Sequence, residues 1–162
     1  MTHTDAGAKP ILLAFSGGLD TSFCVPWLAE TYGRPVVTLT VDTGSIDAAT
    51  ARLLEERSTE LGAVAHHLVD ARAAYFAQVI KYLVMGNVRR GNLYPLCVGA
   101  ERVLQAQTVA QWARKLGTEV VAHGSTAAGN DQVRFEVALR TIAPGLEVLA
   151  DRKSTRLNSS HT

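Results

Sequence analysis

The sequence predicts an α/β protein built on a parallel, twisted sheet with helices on both faces, in a Rossmann-like arrangement. Short apolar segments rich in β-branched residues alternate with longer segments of helical periodicity, which is typical of successive βαβ units. The short segments are apolar almost throughout, which indicates strands buried on both faces. With 162 residues, of which 47% are hydrophobic, the chain is long enough for one domain with a sizeable core.

Five strands and four helices are predicted in order along the chain. The predicted strands are residues 11–15, 36–41, 64–69, 119–123 and 146–149. The first helix begins near Thr21, and because Pro26 falls inside it we expect either a short helix or one that accommodates a kink. The other helices cover residues 47–61, 71–85 and 98–116, and Asp70 is a suitable N-cap for the second of these.

The two ends of the chain differ in composition from residues 10–150, which we expect to form the domain. Residues 1–9 contain no apolar run and are expected to be disordered. Residues 151–162 contain a single apolar residue, Leu157, and composition alone favours a polar disordered tail. Their back-translation resembles a widely used sequencing-library adapter. We therefore expect a non-native tail on a chain truncated near Ala150.

Composition excludes several classes of function. The net charge of +1 gives no support to a nucleic-acid partner or an anionic membrane partner. No apolar run approaches the ~18 residues of a membrane span, so we expect a cytoplasmic protein. Cys24 and Cys97 have neither disulfide-framework nor zinc-ligand spacing, and no metal site made of side chains is predicted.

The first motif is ILLAFSGGLDTSF, residues 11–23. A buried strand runs directly into Ser16, Gly17 and Gly18, and Thr21 and Ser22 follow where a helix opens. Backbone N–H groups at such a helix start, together with the helix dipole, favour an anion. The segment lacks the lysine of GxxxxGK[ST] and does not match GxGxxG. The alternative is a glycine-rich turn that only joins the strand to the helix.

The second motif is VAHGSTAAGNDQVRFE, residues 121–136, which follows another predicted strand. Arg134 can pair with a carboxylate, Asp131 can accept from an ammonium group, and Asn130 can donate and accept. These groups suit ligands that are amino acids. The alternative is a helix start that Asn130 or Asp131 caps, with Arg134 to Glu136 facing solvent.

Together these motifs resemble a known family. SGGLDTS is similar to the SGGxDS signature of the PP-loop ATP pyrophosphatases. With VDTG at 41–44, LYPL at 93–96 and HGSTAAGNDQVRFE at 123–136, the chain resembles the N-terminal nucleotide-binding part of argininosuccinate synthase over residues 10–150. The resemblance implies an adenine-nucleotide α-hydrolase-like fold. It also implies ATP-dependent ligation of citrulline and aspartate through a citrullyl-adenylate, with AMP and pyrophosphate released and Mg²⁺ neutralising the phosphates.

The resemblance also implies site residues. The ATP site would comprise Ala14, Phe15, Ser16, Gly17, Gly18, Leu19, Asp20, Thr21, Ser22, Val41 and Gly124. Aspartate would be held by Thr126, Asn130 and Asp131, and citrulline by Tyr94, Asn130 and Arg134. The expected catalytic residues are Asp20, Asn130, Asp131 and Arg134. Full-length members are expected to be homotetramers, and we expect this chain alone to show weak or no turnover.

The sequence departs from the family pattern at two places in these segments. Gly99 stands where the family often has a hydroxyl for citrulline, which puts one substrate contact in doubt. Ala127, Ala128 and Gly129 stand where many members have Gly-Lys-Gly, so no phosphate-directed lysine is expected there.

Two other functions remain open from the sequence. One is a different PP-loop adenylating enzyme, although a tRNA-thiolating member would need a cysteine pair and a basic RNA face. The other is a nucleotide-binding module without catalysis.

Three further groups of polar residues carry expectations. His66 and His67 should face opposite sides of a strand, and His123 could approach ATP or orient its loop. Arg89 and Arg90 should form a solvated pair on a loop.

Overall fold

A computed structural model describes residues 8–91, 93–124 and 130–150 of the chain. For Arg90, Tyr94, Pro95, Asn130, Asp131 and Ala150 it describes the backbone and not the side chain. The predicted site residue Thr126, the segment 1–7 and the predicted tail 151–162 lie outside the described residues.

Five parallel strands form the central sheet, in the order β3-β2-β1-β6-β7. In chain order these are β1 (Ile11–Ala14), β2 (Val36–Asp42), β3 (Ala65–Asp70), β6 (Val120–His123) and β7 (Glu147–Ala150). Each begins and ends within one residue of its predicted position, so the predicted parallel sheet is confirmed. Two short strands, β4 (Arg89–Arg90) and β5 (Tyr94–Pro95), form a separate antiparallel hairpin. The prediction of a loop at Arg89 and Arg90 is therefore wrong.

Helices cover both faces of the sheet. They are α1 (Leu19–Tyr32), α2 (Ala48–Glu60), α3 (Arg72–Tyr75), a π-helical turn (Phe76–Ile80), α4 (Lys81–Met85), α5 (Cys97–Leu116) and α6 (Asn130–Ile142). The first helix is not short, since it continues through Pro26 for 14 residues. Helix α6 starts at Asn130, so a helix does begin in that segment as the alternative interpretation expected, but Phe135 within it is buried and does not face solvent. No helix among the described residues is long and apolar enough to cross a membrane.

The core lies in two layers, one on each side of the sheet. On one face, Val25 and Leu28 of α1 and Leu54 of α2 cover Ile11 and Leu13 of β1. On the other face, the buried side chains of α5 and α6 cover Leu12, Leu39 and Val121. Alternate residues of β1 therefore point into opposite layers, as expected for a strand buried on both faces.

His66 and His67 confirm this alternation at the edge strand β3. The His66 Nδ1 atom lies 2.8 Å from Thr38 Oγ1, which is also 2.6 Å from Ser58 Oγ of α2. The His67 ring instead lies 4.4 Å from the Trp112 ring of α5, centroid to centroid. The two histidines face opposite layers and cannot share one ligand.

Candidate nucleotide-binding site

The candidate site lies where the strand order reverses. From β1 the chain proceeds outward to β2 and β3, and then returns to place β6 on the other side of β1. The last residues of these neighbours, Ala14 and His123, pair in register, so the loops that follow leave the same edge of the sheet. Open parallel sheets bind ligands at this point. A cavity of about 600 Å³ opens here.

The loop between β1 and α1 is ordered by its own hydroxyl groups. Thr21 Oγ1 donates to the carbonyl of Gly18 at 3.2 Å and accepts from the N–H of Ser16 at 3.4 Å. Ser16 Oγ accepts from the N–H of Gly18 at 3.3 Å and lies 3.2 Å from Thr21 Oγ1. Gly17 has a φ of 72°, a conformation that favours glycine. These hydrogen bonds give the loop a defined backbone conformation.

Helix α1 opens into the cavity without a side-chain cap. Its N-cap is Gly18, which has no side chain to satisfy the N–H groups of the first turn. The carbonyl of Gly17 points away toward α2, where it accepts from the Arg57 guanidinium at 2.6 Å. The free end of a 14-residue helix with its positive dipole therefore borders the cavity, which suits a phosphate group.

Gly124 brings the second loop into contact with the first. A Cβ atom at this position would lie 2.7 Å from Thr21 Cγ2, 2.9 Å from Thr21 N and 3.2 Å from Asp20 C. Two of these neighbours are backbone atoms that cannot rotate away. Glycine at 124 therefore allows the end of β6 to approach the first turn of α1, and the two sequence motifs meet at one cavity.

The end of β2 forms a second wall. Val41 lines the cavity next to Leu39 and Thr40, and the chain then turns away through the loop after β2. Buried Asp42 shapes that turn, because its Oδ1 accepts from the N–H groups of Gly44 at 2.8 Å and Ile46 at 3.3 Å.

Helix α5 forms a third wall that sequence reasoning missed. Glu101, Arg102 and Gln105 line the cavity from this helix. Thr43 donates to Glu101 Oε1 at 2.6 Å, Gln105 donates to the same oxygen at 3.3 Å, and Arg102 donates to Gln105 Oε1 at 2.7 Å. The signal that could have revealed them is a polar pair one turn apart, Glu101 and Gln105, on a helix whose other inward residues are mainly alanine, valine and leucine.

His123 links the cavity to α6. The ring is 3% exposed, and its Nε2 lies 3.3 Å from Glu136 Oε1. Burial lowers the pKa of His123, while Glu136 opposes that shift. Glu136 also accepts from Gln132 at 2.7 Å and lies 3.4 Å from the Arg140 guanidinium. His123 thus lines the cavity and also joins the end of β6 to the helix that begins at Asn130.

The structure gathers most of the predicted ATP residues. Those that line the cavity are Ala14, Phe15, Ser16, Gly18, Leu19, Asp20, Thr21, Val41 and Gly124. Gly17 and Ser22 belong to the same loop and helix start but do not line it, and the buried Ser22 Oγ has no hydrogen-bond partner among the described residues. Arg134 is exposed and lies outside the cavity lining, beside Gly99, where an added Cβ would be 3.7 Å from its guanidinium carbon.

The fold and the cavity define a class of protein. An all-parallel sheet whose first strand leads through a glycine loop into a helix at the switch point is a nucleotide-binding α/β domain of the HUP type. The chain belongs to the argininosuccinate synthase family, since the family model described as the arginosuccinate synthase N-terminal HUP domain matches residues 10–161.

Individual relatives agree with this assignment. The argininosuccinate synthase of Pyrobaculum aerophilum is 44% identical over 144 residues, which are 89% of this chain and 36% of the relative. The enzyme of Xylella fastidiosa is 44% identical over 155 residues, 92% of this chain and 38% of the relative. This chain therefore spans little more than a third of the length of these relatives.

Solved structures of other proteins share the fold. A predicted subunit of tRNA methyltransferase from Methanocaldococcus jannaschii superposes with a TM-score of 0.61 at 15% identity, over 89% of this chain and 69% of that one. The NMN synthetase of Francisella tularensis gives 0.56 at 17% identity, over 75% and 47%. At these identities the likeness concerns the fold alone.

Proposed function

We propose that this chain is the nucleotide-binding part of an enzyme that ligates citrulline and aspartate to argininosuccinate at the expense of ATP. The contact of Gly124 with Thr21 and Asp20 supports this proposal most, because it brings the loop after β1 and the end of β6, which carry the two sequence motifs, to one cavity. Family membership supports the use of ATP. The substrates and the individual residue roles below are proposals.

In the proposed complex the β- and γ-phosphates of ATP lie at the loop of Ser16, Gly17 and Gly18. The N–H groups at the start of α1 would hold them, with the hydroxyls of Thr21 and Ser22 nearby. Adenosine would meet the backbone of Val41 at the end of β2, and Gly124 would also border ATP. This placement leaves the α-phosphorus open to attack from the side of α6.

Mg²⁺ would accompany the nucleotide and not sit in a cage of side chains. Among the described residues no group of three or more His, Cys, Asp or Glu side chains could hold a metal ion. Magnesium ions in such sites are bound by phosphate oxygens and one or two carboxylates. Asp20, which lines the cavity in the first turn of α1, is the residue that fits this role. The ion would neutralise part of the negative charge of the phosphates.

The amino acids would be held from the start of α6. Asn130 and Arg134 with Tyr94 would hold citrulline, and Thr126, Asn130 and Asp131 would hold aspartate. The ureido oxygen of citrulline attacks the α-phosphorus, and the bond to the bridging oxygen breaks as pyrophosphate leaves. The aspartate amine, having lost a proton, then attacks the ureido carbon, and the bond to the AMP oxygen breaks. The contribution of the chain is positioning and stabilisation of charge.

A competition experiment tests the nucleotide assignment. In calorimetric titrations of the 162-residue chain with magnesium present, MgATP should be displaced by pyrophosphate and by AMP. Pyrophosphate and AMP should bind together, because they occupy the loop after β1 and the end of β2 respectively. If pyrophosphate binds but does not displace MgATP, the glycine loop does not hold the terminal phosphates and the assignment is wrong.

A turnover experiment distinguishes the proposed reaction from simple nucleotide binding. Pyrophosphate release from MgATP should depend on citrulline and should be weak for this chain alone. The same measurement with the full-length Pyrobaculum relative sets the expected substrate dependence. MgATP binding with no citrulline dependence, even when the rest of the relative is supplied as a second chain, would favour a non-catalytic nucleotide-binding module.

A further inference from the structure

The carboxylate of Glu101 is held at one defined end of the cavity. Its Oε1 accepts from Thr43 at 2.6 Å and from Gln105 at 3.3 Å, so two elements fix its orientation. Thr43 is the first residue after β2 and lies two residues beyond Val41. Glu101 therefore stands at the end of the cavity where the proposed function puts the nucleoside, and the glycine loop after β1 marks the phosphate end.

One oxygen of this carboxylate is available to a ligand. Both oxygens of an ionised carboxylate accept hydrogen bonds and neither donates. Oε1 has its two donors, whereas Oε2 makes no hydrogen bond to any described residue. An oxygen of a partly buried carboxylate that has no donor among the described residues can accept a hydrogen bond from a ligand that fills this cavity.

The donor is not a phosphate, because a phosphate group would be repelled by the negative charge. The nucleoside offers two kinds of donor, which are the ribose hydroxyls and the exocyclic amine of adenine. Of the two, precedent in nucleotide-binding folds favours the ribose. Carboxylates near the end of the second strand accept from ribose hydroxyls in other doubly wound nucleotide-binding folds.

We propose that Glu101, fixed by Thr43 and Gln105 on the α5 wall of the cavity, accepts a hydrogen bond from a ribose hydroxyl of the bound nucleotide. This inference rests on the proposed function, since it requires a nucleotide in this cavity and in that orientation. It makes Glu101 a specificity residue that selects ribonucleotides over deoxyribonucleotides.

Calorimetric titration with nucleotide analogues tests the proposal. The native 162-residue chain is titrated with MgATP, 2′-deoxyATP, 3′-deoxyATP and ITP, the last of which lacks the exocyclic amine. Loss of a hydrogen bond to a charged group weakens binding about tenfold or more, so at least one deoxy analogue should bind about tenfold more weakly than MgATP.

Variants show whether Glu101 causes the discrimination. In Glu101→Ala the ratio of deoxy analogue to MgATP dissociation constants should fall to about one. Glu101→Gln keeps the shape and an acceptor for Thr43, and because neutral hydrogen bonds are about half as strong the ratio should be about three. Glu60→Gln, which removes an exposed charge on α2 away from the cavity, should keep the native ratio. Circular dichroism verifies that each variant is folded, and Glu101→Gln decides the matter if Glu101→Ala is not.

The possible results separate this inference from the proposed function. MgATP binding with the same deoxy discrimination in Glu101→Gln and the native chain overturns the inference and leaves the function standing. Discrimination against ITP that disappears in Glu101→Gln, with none against the deoxy analogues, overturns it in favour of the adenine amine. If the native chain does not bind MgATP, the proposed function fails and this inference fails with it.

Discussion

The contact at Gly124 gives the sharpest test of the site. Gly124→Ala adds one methyl group to the loop after β6. That methyl would lie 2.9 Å from Thr21 N, closer than real Cβ contacts allow, and 3.2 Å from Asp20 C, which is also tight. Because these are backbone atoms in the first turn of α1, the strain can be relieved only if the loop after β6 and the start of α1 move apart.

The expected magnitude follows from the geometry. Overpacking by one methyl in a well-packed region costs about 1–3 kcal/mol, which for a domain of this size lowers the melting temperature by roughly 2–12 °C. The affinity for MgATP should fall by more than the loss of folding stability alone would cause, because separation of the loops changes the shape of the cavity itself. Phosphate-binding N–H groups act only within hydrogen-bond distance.

Differential scanning calorimetry and calorimetric titration with MgATP measure both effects. Gly145→Ala is the matched control, since a Cβ at Gly145 would meet nothing within 4 Å and its backbone is not left-handed. It should change the free energy of unfolding by less than about 0.5 kcal/mol. If Gly124→Ala behaves like Gly145→Ala in stability and in affinity, the two loops are not in contact and the argument for a shared site fails.

Three further predictions concern single side chains. Thr21→Val should weaken MgATP binding about tenfold because it removes the hydroxyl that orders the loop after β1. Thr59→Val, on the exposed face of α2, is the control and should leave the affinity unchanged. Equal affinities in the two variants would show that the Thr21 hydroxyl does not order the site. Burial raises the pKa of Tyr75 to about 12, so in an ultraviolet titration one tyrosine should ionise last and be missing in Tyr75→Phe; uniform ionisation near pH 10 would contradict this. Since burial lowers the pKa of His123 in the folded state, the folded form should lose stability as the pH falls below about 6.5. In urea unfolding between pH 5 and 8, the free energy of unfolding should depend less on pH in His123→Gln than in the native chain. The same pH dependence in both would show that this ring is not held neutral.

The strands could be predicted because their signal is local. A continuous apolar run is visible without knowledge of its neighbours, and β1 and β6 begin and end almost where their sequences indicate. Helix α1 shows where local rules fail. Pro26 removes one backbone hydrogen bond, but Val25 and Leu28 are almost completely buried on either side of it, and that burial keeps the segment helical.

The less regular elements gave no usable local signal. The hairpin of Arg89–Arg90 with Tyr94–Pro95 has two residues per strand, too few for any periodicity. The π-helical turn Phe76–Ile80 interrupts a segment whose pattern is helical throughout, so the sequence predicts its helicity and not its i→i+5 hydrogen bonding.

The lining of the candidate cavity was predictable in its loops and at Val41, but not in the wall that α5 forms. Both glycine-containing motifs are recognisable from residue type, but the adjacency of β1 and β6 is a property of the whole topology. Glu101, Arg102 and Gln105 reach the cavity because the first turns of α5 lie beside the loop after β2, where Thr43 contacts Glu101. Their helix looks like an ordinary amphipathic segment in sequence, so their role depends on tertiary placement.

The charges of the cavity constrain how it could hold a triphosphate. The charged side chains lining its described part are the carboxylates of Asp20 and Glu101 and the guanidinium of Arg102, while burial favours neutral His123. Negative side chains thus outnumber positive ones at a site proposed for a highly anionic ligand. Besides Arg102 and the proposed Mg²⁺, attraction within the described part of the cavity comes from backbone N–H groups and the dipole of α1, which act over short distances and only in a fixed geometry. Such a site requires a loop whose backbone is held in place. Here the Thr21 hydroxyl and the close contact at Gly124 hold it. A flexible lysine side chain could adjust to a displaced phosphate, whereas backbone N–H groups cannot.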